Sequence, residues 1–340
     1  MVTGAGGFIG SAWCAHARAA GRPLRTWVRA RDARALEPVR AAQTSSPRDG
    51  PLAIDLETAS HDALVAALAG ARAVVHLAGR AHRDDGGASS QDARMHAANV
   101  EATARLARAA AEAGVARFVY ASSIKVHGEV TARGRPFRPD DRPAPQDAYA
   151  RSKAAAEAAL IAAAGRAPME PVILRLPMVY GPGAKGNFRR LADAVAAGRW
   201  LPLAGIDNRR SLLSLANLMD AIDAALDAPA APPSDSAGAE ARSASARQVH
   251  LVADADSVST PQLVRAIAAA LGVGPRLVPV PVALLRIIGA ATNRAGTIAR
   301  LTDSLEADAA SFIAWTGWRP RPFAIDPAMV AGLRRVQSPA

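Results

Sequence analysis

Met1-Val2-Thr3-Gly4-Ala5-Gly6-Gly7-Phe8-Ile9-Gly10 opens the 340-residue chain and runs into a helical stretch, 11–20, that stops at Gly21. Gly4, Gly7 and Gly10 form a G-x-x-G-x-x-G loop at a strand-to-helix junction. There glycine permits a tight turn and close backbone approach, and the helix N-terminus offers N–H groups to a pyrophosphate. A strand-like run at 24–28 follows the helix. Only Met1 and Val2 remain for the first strand, where about five residues are usual. Two readings stand: a start assigned too far downstream, or an unusually short strand.

The same alternation continues along the chain. Strands are expected at 52–56, 73–77, 118–121, 172–176, 212–215 and 249–252. Helices are expected at 91–113, 148–164, 188–197, 217–227 and 260–271, the last capped by Thr260 with Pro261 in its first turn. The polar stretch 84–90 reads as a flexible lid. Strands alternating with helices predict an α/β fold, a Rossmann-type doubly wound parallel sheet with its ligand crevice at the carboxyl ends of the strands. The expected organisation is a dinucleotide-binding domain over 1–174, to which 205–227 returns, and a smaller C-terminal substrate-binding lobe over 175–336. Residues 228–247 are low-complexity and read as a mobile loop. The apolar run 279–291 contains one arginine. It reads as a helix packed on the substrate lobe in preference to one lying on a membrane surface. The tail beyond Val336 is expected to fray.

Half the residues are apolar, yet no run approaches the roughly 18 needed to span a bilayer, so no transmembrane segment is expected. The N-terminus lacks the parts of a secretory signal, and the one cysteine, Cys14, cannot staple the fold. A cytoplasmic location follows. No Cys/His cluster has metal-ligand spacing, so no metal is expected. Net charge +11 invites a nucleic-acid role, but the arginines are scattered and aromatics make up only 4%, which argues against one. Arginine has replaced lysine almost everywhere: the lysines are Lys125, Lys153 and Lys185, and the tyrosines are Tyr120, Tyr149 and Tyr180. All six fall within candidate site motifs. A retained lysine hints that a compact amine is needed.

Tyr149-Ala150-Arg151-Ser152-Lys153 puts a tyrosine and a lysine four residues apart, on one face of a helix. A neighbouring ammonium would lower the phenol from its usual value of about 10, allowing proton exchange near neutrality. At the end of the second strand, Trp27-Val28-Arg29-Ala30-Arg31 has no acid to hold a ribose hydroxyl. Arg29 there suits a 2′-phosphate, favouring NADP(H) over NAD(H). The competing reading of Arg29 is a solvated charge in an arginine-rich chain.

Thr3-Gly4-Ala5-Gly6-Gly7-Phe8-Ile9-Gly10, His76-Leu77-Ala78-Gly79, Ser122-Ser123, Tyr149-x-x-x-Lys153 and Arg175-Leu176-Pro177-Met178-Val179-Tyr180-Gly181-Pro182 together resemble the extended short-chain dehydrogenase/reductases that act on nucleotide sugars, the NAD-dependent epimerase/dehydratase family. The resemblance covers about residues 2–225, and Gly317-Trp318-Arg319-Pro320 is similar as well. It implies a Ser/Tyr/Lys hydride-transfer site: Tyr149 as acid/base, Ser123 on the same substrate oxygen, Lys153 on the nicotinamide ribose. By position it also implies cofactor contacts from Phe8, Ile9, Asp55, Leu56, Leu77, Ala78, Gly79, Asn99 and Pro177. Asn187 and Arg210 match positions that grip the nucleotide diphosphate, and an arginine fork suits phosphate oxygens. Without the resemblance, Asn187 reads as a helix N-cap and Arg210 as one surface charge among many.

Departures narrow the reaction. Sugar dehydratases of this family carry Asp-Glu after the catalytic hydroxyl residue, where this chain has Ile124-Lys125, so dehydration is not expected. His127 and Met178 replace the usual tyrosine and asparagine near the expected sugar pocket. Ser-Ser-Ile-Lys-Val-His-Gly-Glu from Ser122 and Gly-Pro-Gly-Ala-Lys-Gly-Asn-Phe from Gly181 look like a bacterial polysaccharide subgroup containing 4-keto-6-deoxy-N-acetylhexosamine reductases and 4-epimerases. There Lys125 and Lys185 would touch sugar or diphosphate; otherwise they sit on solvated loop edges. The expectation is an NAD(P)-dependent enzyme acting at C4 of a UDP-sugar, with reductase ahead of epimerase. A catalytically silent NADP(H) sensor or scaffold is the reading from another class. The resemblance also implies a homodimer through helices 91–113 and 148–164.

Overall fold

The computed structural model describes residues 1–28, 52–80, 88–165, 167–230 and 249–331. Arg29, the centre of the expected lid and all but the first three residues of the segment 228–247 lie outside these. Seven strands form one parallel sheet in the order β3-β2-β1-β4-β5-β6-β9. They are β1 (Val2–Thr3), β2 (Thr26–Val28), β3 (Leu52–Ala53), β4 (Ala73–His76), β5 (Arg117–Ser123), β6 (Glu170–Leu176) and β9 (Val249–Leu251). The order reverses between β1 and β4, the switch point at which such sheets open a ligand crevice. A separate parallel pair joins β7 (Met178–Tyr180) to β8 (Leu212–Ser214).

Helices cover both faces of the sheet. On one side α1 (Phe8–Ala19) and α7 (Leu215–Asp227) bury Trp13, Ala17, Leu218 and Ile222 against Val2, Val119 and Val172. On the other, α2 (His61–Leu68), α4 (Ala102–Glu112) and α5 (Ala148–Ala164) pack Leu64, Leu106 and Leu160 onto Val74, Phe118 and Ile173. A third cluster joins α6 (Gly186–Ala196) to α8 (Thr260–Leu271) through Phe188, Val195, Val264 and Ile267. The expected helix 91–113 is interrupted. α3 (Ala88–Met95) passes through one π-helical turn (His96–Glu101) before α4 continues. Strands 24–28 and 52–56 are shorter than expected because ladder pairing covers only the last three residues of the first and the first two of the second. Thr260 is the first residue of α8 rather than its cap. Ser259 accepts from Gln262 N while Gln262 Oε1 accepts from Ser259 N, a reciprocal capping box.

β1 is two residues long and starts deep in the sheet. The Met1 ammonium donates to Ala73 O at 2.9 Å, and burial lowers its pKa to about 6. A cavity of about 1460 Å³ lies at this end, lined by Met1, Arg25, Arg72, Arg117 and Ile161, away from the glycine loop.

The glycine loop depends on contacts too close for any side chain. A Cβ on Gly10 would lie 2.0 Å from Gly4 O, whereas one on Gly6 would have no heavy atom within 4 Å. Gly10→Ala is therefore expected to lower the thermal midpoint sharply and weaken nucleotide binding. Gly6→Ala should leave the midpoint almost unchanged, as read by thermal unfolding of both variants.

Candidate active site

The loops after β1, β4, β5 and β6 converge at the carboxyl edge of the sheet. Gly4, in the left-handed region at φ 73°, lies against the loop after β4, where its Cβ would be 2.6 Å from Ala78 N. α1 begins at Phe8 with Gly7 as its cap. It has no capping side chain and no acid in its first turn, so it presents backbone N–H groups and a positive helix end. Residues Gly4, Gly7, Phe8, Ile9 and Gly10 thus form a cradle suited to a diphosphate.

Beside it, Leu77 and Ala78 are half-buried and Gly79 is exposed. A Cβ on Gly79 would fall 3.3 Å from both Asn99 Oδ1 and Lys153 Nζ. The missing side chain leaves a notch next to the lysine. Asn99 is buried, and its side chain holds this loop: Oδ1 accepts from Arg80 N at 2.6 Å, and Nδ2 donates to Arg80 O and Ser152 Oγ. It lies within the π-helical turn. Asp55, beyond β3, is exposed and accepts from Glu57 N, Leu56 is half-buried, and Pro177 is buried directly after β6.

β5 delivers Ser123, whose Oγ accepts from Lys125 N at 3.3 Å and whose hydroxyl faces Tyr149 closely enough to oppose the rise of its pKa. Tyr149 sits in the first turn of α5, which Asp147 caps by accepting from Ala150 N at 2.7 Å. Lys153 lies one turn further on and is buried. Its ammonium donates to Ala121 O at 2.9 Å and Tyr120 Oη at 3.2 Å, and stands 6.0 Å from the Tyr149 ring centroid. Burial lowers Lys153 to about 8, opposed by Glu157. Burial, then the Asp147 carboxylate, pushes Tyr149 up to about 12, with the Ser123 hydrogen bond opposing. The expected depression of the phenol by Lys153 is therefore not found. The ammonium is aimed at Tyr120 and the adjacent backbone, while the charge that acts on Tyr149 is the Asp147 carboxylate.

Under these groups lies a layer that the sequence reading did not single out. Arg175 on β6 donates to both carboxylate oxygens of Glu157 on α5, at 3.0 and 2.6 Å. Ser122 Oγ donates to the same carboxylate, and Arg175 donates to His127 Nε2 at 2.7 Å. His127 is buried and stacks on Phe137 with centroids 5.1 Å apart, so it belongs to this layer rather than to a sugar pocket. His76 bridges Thr3 and Thr103 and stacks on Tyr120 at 5.4 Å. Burial lowers both histidines to about 3, helped by Lys153 at His76 and by Arg175 at His127. One signal was available: Glu157 lies four residues beyond Lys153, on the same helix face.

The expected substrate residues divide into two groups. Lys125 lies beside Ser123 and donates to Glu129 and Asp147, each at 2.7 Å. Burial opposes its charge, but the two carboxylates prevail and raise its pKa. Arg210 donates to Asp303 O at 2.9 Å, and burial lowers its pKa, with Asp303 and Glu129 opposing. Glu129 thus connects the Lys125 and Arg210 surroundings. Lys185 is exposed at the cap position of α6, and Asn187 is exposed inside its first turn, so Asn187 is not the N-cap. Met178 is half-buried.

Glu157→Gln would leave the buried Arg175 guanidinium without its counter-charge, and a loss of about 3–5 kcal/mol is expected in denaturant unfolding. The buried histidines add an acid-side instability. Below the usual value of about 6.5 the unfolded chain takes up protons that folded His76 and His127 refuse until about 3. Stability should therefore fall with decreasing pH across that window, by about 1.4 kcal/mol per pH unit for each histidine. His127→Gln should make the measured slope shallower.

Comparison with known proteins agrees with this arrangement. The model of the NAD dependent epimerase/dehydratase family matches residues 1–237. A Vibrio cholerae protein named UDP-glucose 4-epimerase is 39% identical over 248 residues, 73% of this chain and 71% of that protein. A Mycobacterium tuberculosis protein named dTDP-4-dehydrorhamnose reductase is 32% identical over 232 residues, 67% of this chain and 66% of the other. Among solved structures, MoeE5 in complex with UDP-glucose and NAD superposes with a TM-score of 0.68 at 25% identity, covering 98% of this chain and 96% of that one. With a nicotinamide-dinucleotide cradle and a Ser/Tyr/Lys group at one sheet edge, the chain belongs to the NAD-dependent epimerase/dehydratase family of nucleotide-sugar epimerases and reductases.

Proposed function

We propose that the protein reduces C4 of a UDP-4-keto-6-deoxy-N-acetylhexosamine in surface-polysaccharide synthesis. The observation that carries this reading is the grouping of Ser123, Tyr149 and Lys153, with the Lys153 ammonium 6.0 Å from the Tyr149 ring centroid and burial raising Tyr149 to about 12. A phenol that holds its proton through the neutral range is poised to donate to a ketone oxygen; the reverse oxidation needs the phenolate. Bound NADPH or NADH supplies the hydride. Phe8, Ile9 and the glycine loop would hold its diphosphate, and Gly79 and Lys153 its nicotinamide ribose. Ser123 would fix the oxygen that accepts the Tyr149 proton. Ile124 is buried and Lys125 is neutralised by two carboxylates, so neither can act as the acid/base pair of a dehydratase. Arg210, Lys185 and Asn187 would bind the UDP diphosphate from the facing side.

A second reading is a UDP-sugar 4-epimerase that retains NAD, favoured by the name of the 39% identical relative. The two separate when the purified protein is denatured and its released nucleotide is weighed. Near-stoichiometric NAD supports the epimerase. An exchangeable site, together with consumption of NADPH by UDP-4-keto sugars, supports the reductase. Tyr149→Phe should keep nucleotide binding and lose turnover by roughly 10²–10⁴-fold. Full turnover in that variant would refute the Tyr149 mechanism under either reading, and a wild-type protein inactive on every UDP-sugar would favour the silent sensor. We also propose a homodimer through α3 to α5, whose outward face carries exposed Ala155 and Ala158, small enough for close helix approach.

A further inference from the structure

From Ser257 to Thr302 the sequence contains Arg265, Arg276, Arg286, Arg294 and Arg300 and no acidic residue; the bounding acids are Asp256 and Asp303. The structure turns the second half of this stretch into a helical hairpin, α9 (Val282–Ala291) followed by α10 (Ala295–Thr302). The two helices are fitted closely. A Cβ on Gly289 would be 2.7 Å from Ile298 Cγ1, and the turn between them uses Asn293 in the left-handed region at φ 54°. Leu285 and Gly289 face inward and are buried. The inward face packs on the cluster of Phe188 and Val264 through Leu285, as the sequence reading expected, while the opposite face is uncovered. Leu284 is 47% exposed, Ile287 65% and Ile288 47%, at the spacing of one helical stripe, and Ala291 extends it.

Within 257–302 every charged side chain is an arginine. Arg286 pairs with Asp303, while Arg276, Arg294 and Arg300 make no ion pair among the described residues. The segment 276–280 that leads into α9 runs beside 201–204 and places Arg276 5.7 Å from the ring centroid of Trp200, which is 69% exposed. Branched aliphatic side chains on a fixed helix face, an exposed tryptophan nearby and unpaired arginines without acids match the chemistry of an anionic lipid surface. A protein partner would more often be met by a patch of mixed charge with an acidic or hydrogen-bonding rim.

We propose that the α9/α10 hairpin docks the protein reversibly on the surface of a membrane containing anionic lipid, with Leu284, Ile287 and Ile288 entering the headgroup boundary. This proposal does not depend on which reaction the active site performs.

The test is sedimentation of the full-length protein with phosphatidylcholine vesicles containing about a third phosphatidylglycerol. The protein should sediment with these vesicles, progressively less as salt is raised, and should stay in solution with phosphatidylcholine alone. A triple variant, Leu284→Gln with Ile287→Gln and Ile288→Gln, leaves the charge unchanged. It should lose roughly tenfold or more in partitioning while keeping its thermal midpoint and nucleotide binding. Ile313→Gln, on α11 (Ala310–Thr316), should partition as the parent does. Absence of sedimentation with anionic vesicles would overturn the proposal. So would undiminished binding by the triple variant, which would reduce the effect to attraction of a chain with net charge +11. A change in oligomeric state on the triple substitution without vesicle binding would overturn it too, and would assign the face to a second copy.

Discussion

The bidentate pair between Glu157 and Arg175 is the interaction on which the catalytic geometry rests. Both side chains are buried, so each would be costly alone, and the pair is tolerable because its remaining lone pairs and protons are taken by Ser122 and His127. It joins the middle of α5 to β6, and through Ser122 to the end of β5. Tyr149 and Lys153 lie two turns and one turn back along the same face of α5. A fixed α5 therefore sets both above Ser123. Charge is arranged in layers: a neutralised ion pair at the bottom, neutral His76 and Tyr120 alongside, and Lys153 as the cation at the carboxyl edge of the sheet.

Backbone proximity is the second organising constraint. The loops after β1 and β4 touch at Gly4 and Ala78, and the first turn of α1 touches its own loop at Gly10. Only a chain without side chains at these places brings a helix N-terminus so close to the switch point of the sheet. Asn99 then fixes the second wall by satisfying both backbone polar groups of Arg80. A buried amide with its donors and acceptor engaged makes a firmer support for the notch at Gly79 than apolar packing would, because rotation of the side chain would leave polar atoms unsatisfied.

Much of this was legible in the residues. The glycine loop, the strand and helix alternation, and the span of α5 follow from turn chemistry and hydrophobic period, which are local properties. The shared face of Tyr149 and Lys153 was legible from helix spacing, whereas Ser123 joined them only through the family resemblance. What escaped was set by long-range partners. The π-helical turn that carries Asn99 shifts the hydrogen-bond ladder without altering the apolar pattern. The aim of the Lys153 ammonium depends on Tyr120, a residue 33 positions away in the chain. Lys125 was expected to meet substrate, yet two carboxylates from different segments hold it. Ser259 and Thr260 are adjacent hydroxyls, and only the side chain of Gln262 decides which one caps the helix.

Asp147 uses its two carboxylate oxygens for different tasks. Oδ1 terminates the helix that carries Tyr149, and Oδ2 restrains Lys125 next to Ser123. One side chain thereby fixes the spacing between the element that carries Tyr149 and the one that follows Ser123, while its charge adds to the burial that raises the phenol's pKa. Shape and acidity at this site are consequently not separately adjustable. An amide at position 147 would preserve the outline of the pocket while releasing its electrostatic setting, and a glutamate would preserve the charge while displacing the helix. Through Lys125 and Glu129 the same constraint reaches the surroundings of Arg210, so a change there is felt at the helix that carries Tyr149.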